Sequence, residues 1–227
     1  MNTLDEAIEA SVLKGNYKNK VDGRELLLVI PDGTIKTAFF DPQYRGILDK
    51  LAYGNEGVRC SERCSLPQMN ELTIMQFIRE IDRVLQPSGH LFLWVDKFHL
   101  FEGIKEWIEC THLNIVDCIT WDKGKIGMGY RSRRKSEYLV VLQKAPTRAK
   151  GCWTSHSIPD VWDENVLKEH PHPTHPVELQ RALIEATTNE GDWVLDPAAG
   201  GYSVLSACRL CNRNFIGGDI RYGENIA

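Results

Sequence analysis

The chain has 227 residues, 42% hydrophobic and 26% charged, with 27 basic against 31 acidic side chains for a net charge of −4. That length suits one domain, and the composition excludes a disordered or fibrous chain. No apolar run nears the roughly 20 residues of a membrane span, and the acidic start Met1-Asn2-Thr3-Leu4-Asp5-Glu6 lacks signal-peptide order, so an intracellular, cytoplasmic protein is expected.

Leu4–Lys14 reads as a short helix. Glu25–Ile30 leads into the turn signal Pro31-Asp32-Gly33. Ile35–Phe40 is an apolar, strand-like run that stops at Asp41-Pro42. Residues 45–66 have no period and hold Gly46, Gly54 and Gly57, so they read as a long, mobile loop. Asn70 caps a helix to about Leu85, and Pro87-Ser88-Gly89 stops it. His90–Val95 is a buried strand, and Phe98–Cys110 an amphipathic helix with Phe101, Ile104, Trp107 and Ile108 on one face. Asn114–Trp121 and Tyr138–Gln143 pair as an antiparallel hairpin around residues 122–136. Ala145–Pro171 is irregular; Pro176 then opens a helix to about Thr187. Trp193–Leu195 is a strand, Ser203–Leu210 a helix and Asn214–Gly217 a strand. Strands alternating with helices predict an α/β fold, a mostly parallel sheet covered on both faces.

The seven cysteines, an odd number, argue against a disulfide framework. Cys60, Cys64, Cys208 and Cys211 read as reduced thiols rather than a zinc site, because the second pair falls in an apparent helix. His170, His172 and His175 alternate with prolines and read as extended surface chain, so no metal is expected. Trp94, Trp107, Trp121 and Trp193 are assigned to the core, whereas Trp153 and Trp162 are expected to be exposed and able to meet nucleic acid. Between Trp121 and Lys150, nine basic residues, including Lys123, Arg131, Arg133, Arg134 and Lys135, face only Asp122 and Glu137, a local net charge of +7. Such a stretch is either a polyanion site or a solvated basic face.

Two strand ends carry chemistry. Asp196-Pro197-Ala198-Ala199-Gly200-Gly201 follows an apolar strand and precedes a helix, and the next strand ends at Asp219. A glycine turn lets backbone N–H groups approach a ligand, and an acid after the second strand is placed to accept from both hydroxyls of a ribose. The other end, Phe40-Asp41-Pro42-Gln43-Tyr44, offers a carboxylate, a rigid carbonyl and a flat ring, though in isolation it reads rather as a strand followed by an ordinary Asp-Pro turn.

Together these segments resemble the amino-methyltransferases of DNA, which use S-adenosylmethionine to methylate N6 of adenine or N4 of cytosine. Asp41-Pro42-Gln43-Tyr44 resembles the signature Asp-Pro-Pro-Tyr, and the Asp196–Gly201 loop resembles Asp-Pro-Phe-x-Gly-x-Gly. Asn214–Asp219, the stretch His172-Pro173-Thr174-His175-Pro176 and the hairpin Trp121–Val141 resemble three more family segments. The catalytic signature precedes the cofactor loop, as in the circularly permuted β class, whose members mostly modify adenine. The resemblance spans Asp22 to Ala227 and implies a single Rossmann-like methyltransferase domain over 1–227. Within it, 45–66 and 122–170 are the expected nucleic-acid-contacting insertions.

The resemblance further implies that Tyr44 stacks on a flipped-out adenine while Asp41 and Pro42, with Gln43 beside them, hold its amino group. It places S-adenosylmethionine against Phe40, Asp196, Pro197, Ala198, Gly200, Gly201 and Asp219, with Thr174 and His175 near its carboxylate. Arg131, Arg133, Arg134, Lys135 and Lys123 would meet DNA phosphates. Departures from the pattern are Gln43 for proline, Ala198 for an aromatic residue, His175 for lysine, and Tyr202 where glycine gives φ > 0 cheaply. They keep open a catalytically silent subunit, or an enzyme acting on cytosine N4 or RNA. A homodimer or partner subunit would offset the small recognition segment. A restriction–modification setting, a phage and a lone regulatory enzyme all fit the motifs.

Overall fold

The computed structural model describes residues 3–43, 69–127, 131–166 and 175–225. The expected loop at 45–66, Tyr44, Thr174, Cys60, Cys64, His170 and His172 lie outside them.

Seven strands form one sheet in the order β5-β3-β4-β2-β1-β6-β7. They are β1 (Ile35–Phe40), β2 (Leu85–Val95), β3 (Leu113–Asp122), β4 (Ser136–Lys144), β5 (Val161–Asp163), β6 (Trp193–Asp196) and β7 (Asn214–Gly217). Only β4 runs antiparallel to its neighbours, β2 and β3; the other four pairings are parallel. The sheet is thus mostly parallel with an antiparallel hairpin, as expected.

Side-chain alternation along each strand builds two cores. Ala38, Phe40, Leu91, Leu93, Val140, Leu142, Leu195 and Ile216 face one. Phe39, Phe92, Trp94, Leu139, Val141, Val194 and Phe215 face the other. Helices α1 (Leu4–Glu9), α2 (Gly23–Val29) and α3 (Glu71–Val84) cover the first face. On the second lie α6 (Val177–Thr187) and α7 (Ser203–Leu210). Asn70 caps α3, its side chain accepting from the Thr73 N–H at 2.8 Å.

The structure corrects several sequence expectations. The first helix ends at Glu9, and the run ahead of Pro31 is helix α2, capped by Asp22. Pro87-Ser88-Gly89 is a bulge inside β2, with Ser88 at φ 64°, because the register slips between Leu85 and His90. Phe98–Cys110 is two short helices, α4 (Lys97–Glu102) and α5 (Lys105–Ile108), broken at Gly103 with φ 92°. Ile104 and Trp107 are buried, but Phe101 is 84% exposed on the broken helix. The segment read as irregular contributes β5 on the edge of β3. Trp153 and Trp162 are half-buried against the second core rather than free at the surface. Trp153 packs edge-on to His90 and Phe92, and its Nε1 donates to the Ser155 carbonyl. Among the described residues no helix is long and apolar enough to cross a membrane.

Candidate active site

Six strands point their carboxyl ends to one edge of the sheet. Each is closed by an acid: Asp41 after β1, Asp96 after β2, Asp122 in β3, Asp163 in β5, Asp196 in β6 and Asp219 beyond β7. Strands β1 and β6 are neighbours, Ala38 pairing with Leu195, and the chain continues from β1 to β2 on the other side. Such a switch in strand order leaves a crevice where ligands of open α/β sheets bind.

On the β1 side, Asp41 is 45% exposed, Pro42 is buried and Gln43 is exposed. Gln43 is anchored by its carbonyl, which accepts the Met69 N–H at 2.8 Å. Phe40 is fully buried, its ring stacked on Phe77, so it supports the crevice from within the core. His175 enters from the turn before α6, and its Nε2 lies 2.9 Å from Asp41 Oδ2. Its ring stacks on Trp94 with centroids 4.3 Å apart and 18° between the planes.

On the β6 side, Asp196 is buried, and its partner among the described residues is the Ala198 N–H at 3.3 Å. Burial pushes its carboxyl up to about 8. Asp219 Oδ1 accepts the N–H groups of Arg221 and Tyr222, and Oδ2 accepts that of Gly200 at 3.3 Å. A carboxylate has about four acceptor sites, so Oδ2 retains one for a further hydroxyl. Gly200 adopts φ 46°, Gly201 is exposed, and Ala198 is packed on the first core.

The loop is locked from beneath by the N-terminal segment. Asn19 is fully buried; its side chain donates to the carbonyls of Lys14 and Gly217 at 2.9 Å. Its own carbonyl accepts the Asp219 N–H at 3.0 Å and the Tyr202 hydroxyl at 2.9 Å. Gly23 packs on Pro197: a Cβ there would lie 2.0 Å from the Pro197 carbonyl oxygen. Nothing in the sequence pattern marks Asn19, because its partners at Tyr202, Gly217 and Asp219 lie far away in sequence.

Tyr202 takes the left-handed conformation, φ 59° and ψ 35°, at the position where glycine is usual. Its buried ring, the Asn19 bond and an edge contact with Phe215 at 6.2 Å offset the conformational strain.

The basic residues divide into two groups. Lys123 pairs with Glu137 at 2.7 Å, Lys135 with Asp122 at 2.6 Å, and Arg134 approaches Asp96 at 3.8 Å while lying over the Phe98 ring. Arg131 and Arg133 are exposed and directed to no carboxylate among the described residues. Cys208 and Cys211 are buried, and burial raises both thiols above their ordinary pKa.

The chemistry of these groups fits S-adenosylmethionine. A buried carboxylate with no lysine or arginine partner among the described residues suits an ammonium group, and an acid with spare acceptor capacity at the end of β7 suits a ribose.

Comparison with known proteins agrees. The DNA methylase family profile, N6_N4_Mtase, matches residues 72–224. The chain is 61% identical over 214 residues to the type II methyltransferase M.HhaII of Haemophilus parahaemolyticus, covering 92% of this chain and 93% of that one. It is 47% identical over 170 residues to the type II methyltransferase M.HpaI of Haemophilus parainfluenzae, covering 64% and 54%. The complex of M1.HpyAVI with its SAM ligand superposes with a TM-score of 0.61 at 18% identity over 89% of this chain and 92% of that one. For the cytosine-N4-specific PvuII DNA methyltransferase the TM-score is 0.68 at 14% identity over 92% and 85%. The chain therefore belongs to the N6/N4 DNA methylase family and is an S-adenosylmethionine-dependent DNA methyltransferase.

Proposed function

We propose that the protein methylates the exocyclic N6 of adenine in DNA, acting on a base swung out of the duplex. The observation that carries this reading is adjacency: Asp41 and the Asp196 loop leave neighbouring strands β1 and β6 into one crevice. An aspartate at the head of the signature favours adenine, in keeping with the family resemblance.

S-adenosylmethionine supplies an electrophilic methyl group. The chain does the rest by positioning and electrostatics. Asp41 and the Pro42 carbonyl accept the two amino hydrogens, which keeps the nitrogen lone pair out of the ring and aimed at the methyl group. Tyr44 stacks on the extruded base and offsets part of its unstacking cost. Asp196 holds the cofactor's ammonium group and Asp219 its ribose, while Gly200 and Gly201 let the backbone lie close. Arg131 and Arg133 meet phosphates, with residues 45–66 and 122–170 forming the DNA-facing surface.

The test is incubation with unmethylated genomic DNA, digestion to nucleosides and mass spectrometry. N6-methyladenine from the unmutated protein, and none from Asp41→Ala, is expected. N4-methylcytosine instead would overturn the base assignment. An absence of both, with the cofactor bound, would favour a silent subunit.

A further inference from the structure

The contact between His175 and Asp41 joins residues 134 positions apart at the most exposed carboxylate of the crevice. Three features make it a built contact. The imidazole lies flat on Trp94, which is itself held edge-on by Trp121 at 5.9 Å. Pro176 follows directly, and its ring fixes φ at the entry into α6. Carboxylates face the ring from three strands: Asp41 beyond β1, Glu137 in β4 and Asp196 in β6.

Cations near this cluster are engaged by other acids: Lys123 pairs with Glu137 at 2.7 Å, and Arg134 lies 3.8 Å from Asp96 while its field also reaches Glu137. Burial alone would lower the His175 pKa, but Asp41, Glu137 and Asp196 outweigh burial and raise it above the ordinary value. The ring therefore holds its second proton to higher pH than an ordinary histidine, and Nε2 is the nitrogen placed to donate to Asp41.

We propose that His175 is a positioning residue for Asp41. By holding Oδ2, it presents Oδ1 as the acceptor for the substrate's amino group. A carboxylate on a half-exposed side chain otherwise rotates about its last bond, and the reacting nitrogen then meets it in many orientations. The role rests on the reading of Asp41 as the amine acceptor. It differs from that of a cofactor ligand, which would act on binding rather than on the transfer step.

The experiment is single-turnover methyl transfer with saturating S-adenosylmethionine and DNA, across pH 6 to 9.5 at constant ionic strength. Saturation matters because Asp196 titrates in the same range. For the unmutated protein, the rate falls as pH rises through the His175 pKa, since a charge-assisted bond becomes a neutral one. His175→Gln lowers the rate about 10- to 100-fold and lacks this alkaline limb, with the cofactor dissociation constant changed less than about threefold. His175→Lys recovers part of the loss and keeps its rate to higher pH, because an ammonium stays charged there. Thermal melting confirms that each variant folds.

Weakened cofactor binding with an unchanged saturated rate would overturn the proposal, as would an alkaline limb that persists in His175→Gln. Asp41→Ala separates the two levels. If it still transfers methyl groups, the reading of Asp41 fails. If it is inactive while His175→Gln is unaffected, only the role of His175 fails.

Discussion

The hydroxyl of Tyr202 donates to the carbonyl of Asn19 at 2.9 Å, across 183 positions of sequence. The same carbonyl accepts the Asp219 N–H, so one backbone oxygen ties the segment after β6 to the end of β7. Tyr202→Phe removes this bond while keeping the ring. It is expected to lower stability by about 1 kcal/mol and the melting temperature by about 2–4 °C. Asn19→Ala strands the buried carbonyl of Gly217, removes the bond to Lys14 and is expected to cost about 2–4 kcal/mol. Urea titrations of the two variants give both numbers. An Asn19→Ala variant as stable as the unmutated protein would show that the Asn19 side chain adds nothing.

Gly23 makes a second lever on the same loop. Its missing side chain lets α2 sit 2.0 Å, at a virtual Cβ, from the Pro197 oxygen, with Phe77 at 2.7 Å on the other side. Gly23→Ala must displace backbone. Cofactor affinity is expected to fall about tenfold or more in calorimetric titration, although residue 23 touches no expected ligand atom. An unchanged affinity would show that the Asp196 loop adapts at no cost to binding.

Asp196 predicts a pH dependence with a definite sign. Burial holds its carboxyl at about 8. Below that pH the group is protonated in the free protein, and the cofactor's ammonium must displace the proton. Affinity for S-adenosylmethionine is therefore expected to weaken as pH falls from 9 to 6. Binding should release a proton, read as a heat that varies with buffer ionisation enthalpy. Stability follows from the same shift. A carboxyl with a folded pKa above its unfolded value of about 3.9 binds its proton more tightly when native, so stability declines as pH rises between about 4 and about 8. Asp196→Asn should raise the melting temperature more at pH 8.5 than at pH 5, and abolish the pH dependence of binding.

The basic hairpin is expected to act through the two arginines that meet no carboxylate among the described residues. Arg131→Ala with Arg133→Ala should weaken DNA binding and reduce the slope of log affinity against log salt by about 0.9 for each phosphate left without its cation. Lys135→Ala should change the slope less, because Lys135 is already paired with Asp122 at 2.6 Å. Fluorescence anisotropy from about 50 to about 200 mM salt measures the difference.

Much of the sheet was legible because its strands are short apolar runs between turn residues. Ile35–Phe40, Asn214–Gly217 and the helix Ser203–Leu210 lie where their patterns put them. The misreadings share a cause. Pro87-Ser88-Gly89 looks like an ending, yet tertiary pairing carries the strand past it as a bulge. Gly103 looks tolerable inside a helix, yet it splits one and leaves Phe101 outside. The positions of Asp41, Asp196 and Asp219 follow from motif and strand order. The grip of His175 on Asp41, the support of Asn19 and the left-handed Tyr202 do not, since each depends on partners that only the folded chain brings close.

The aspartates closing the six co-directed strands give the reactive edge a consequence for the substrate. Several of those acids are already paired, Asp122 with Lys135 and Asp41 with His175, so they offer a phosphodiester no attraction, whereas a neutral heterocycle needs none. The proposed place for the DNA backbone is the basic hairpin, where Arg131 and Arg133 stand exposed. On the proposed reading, charge is expected to sort the two parts of a nucleotide: the anionic strand would stay at the basic hairpin, and the uncharged ring would be the part that crosses the rim.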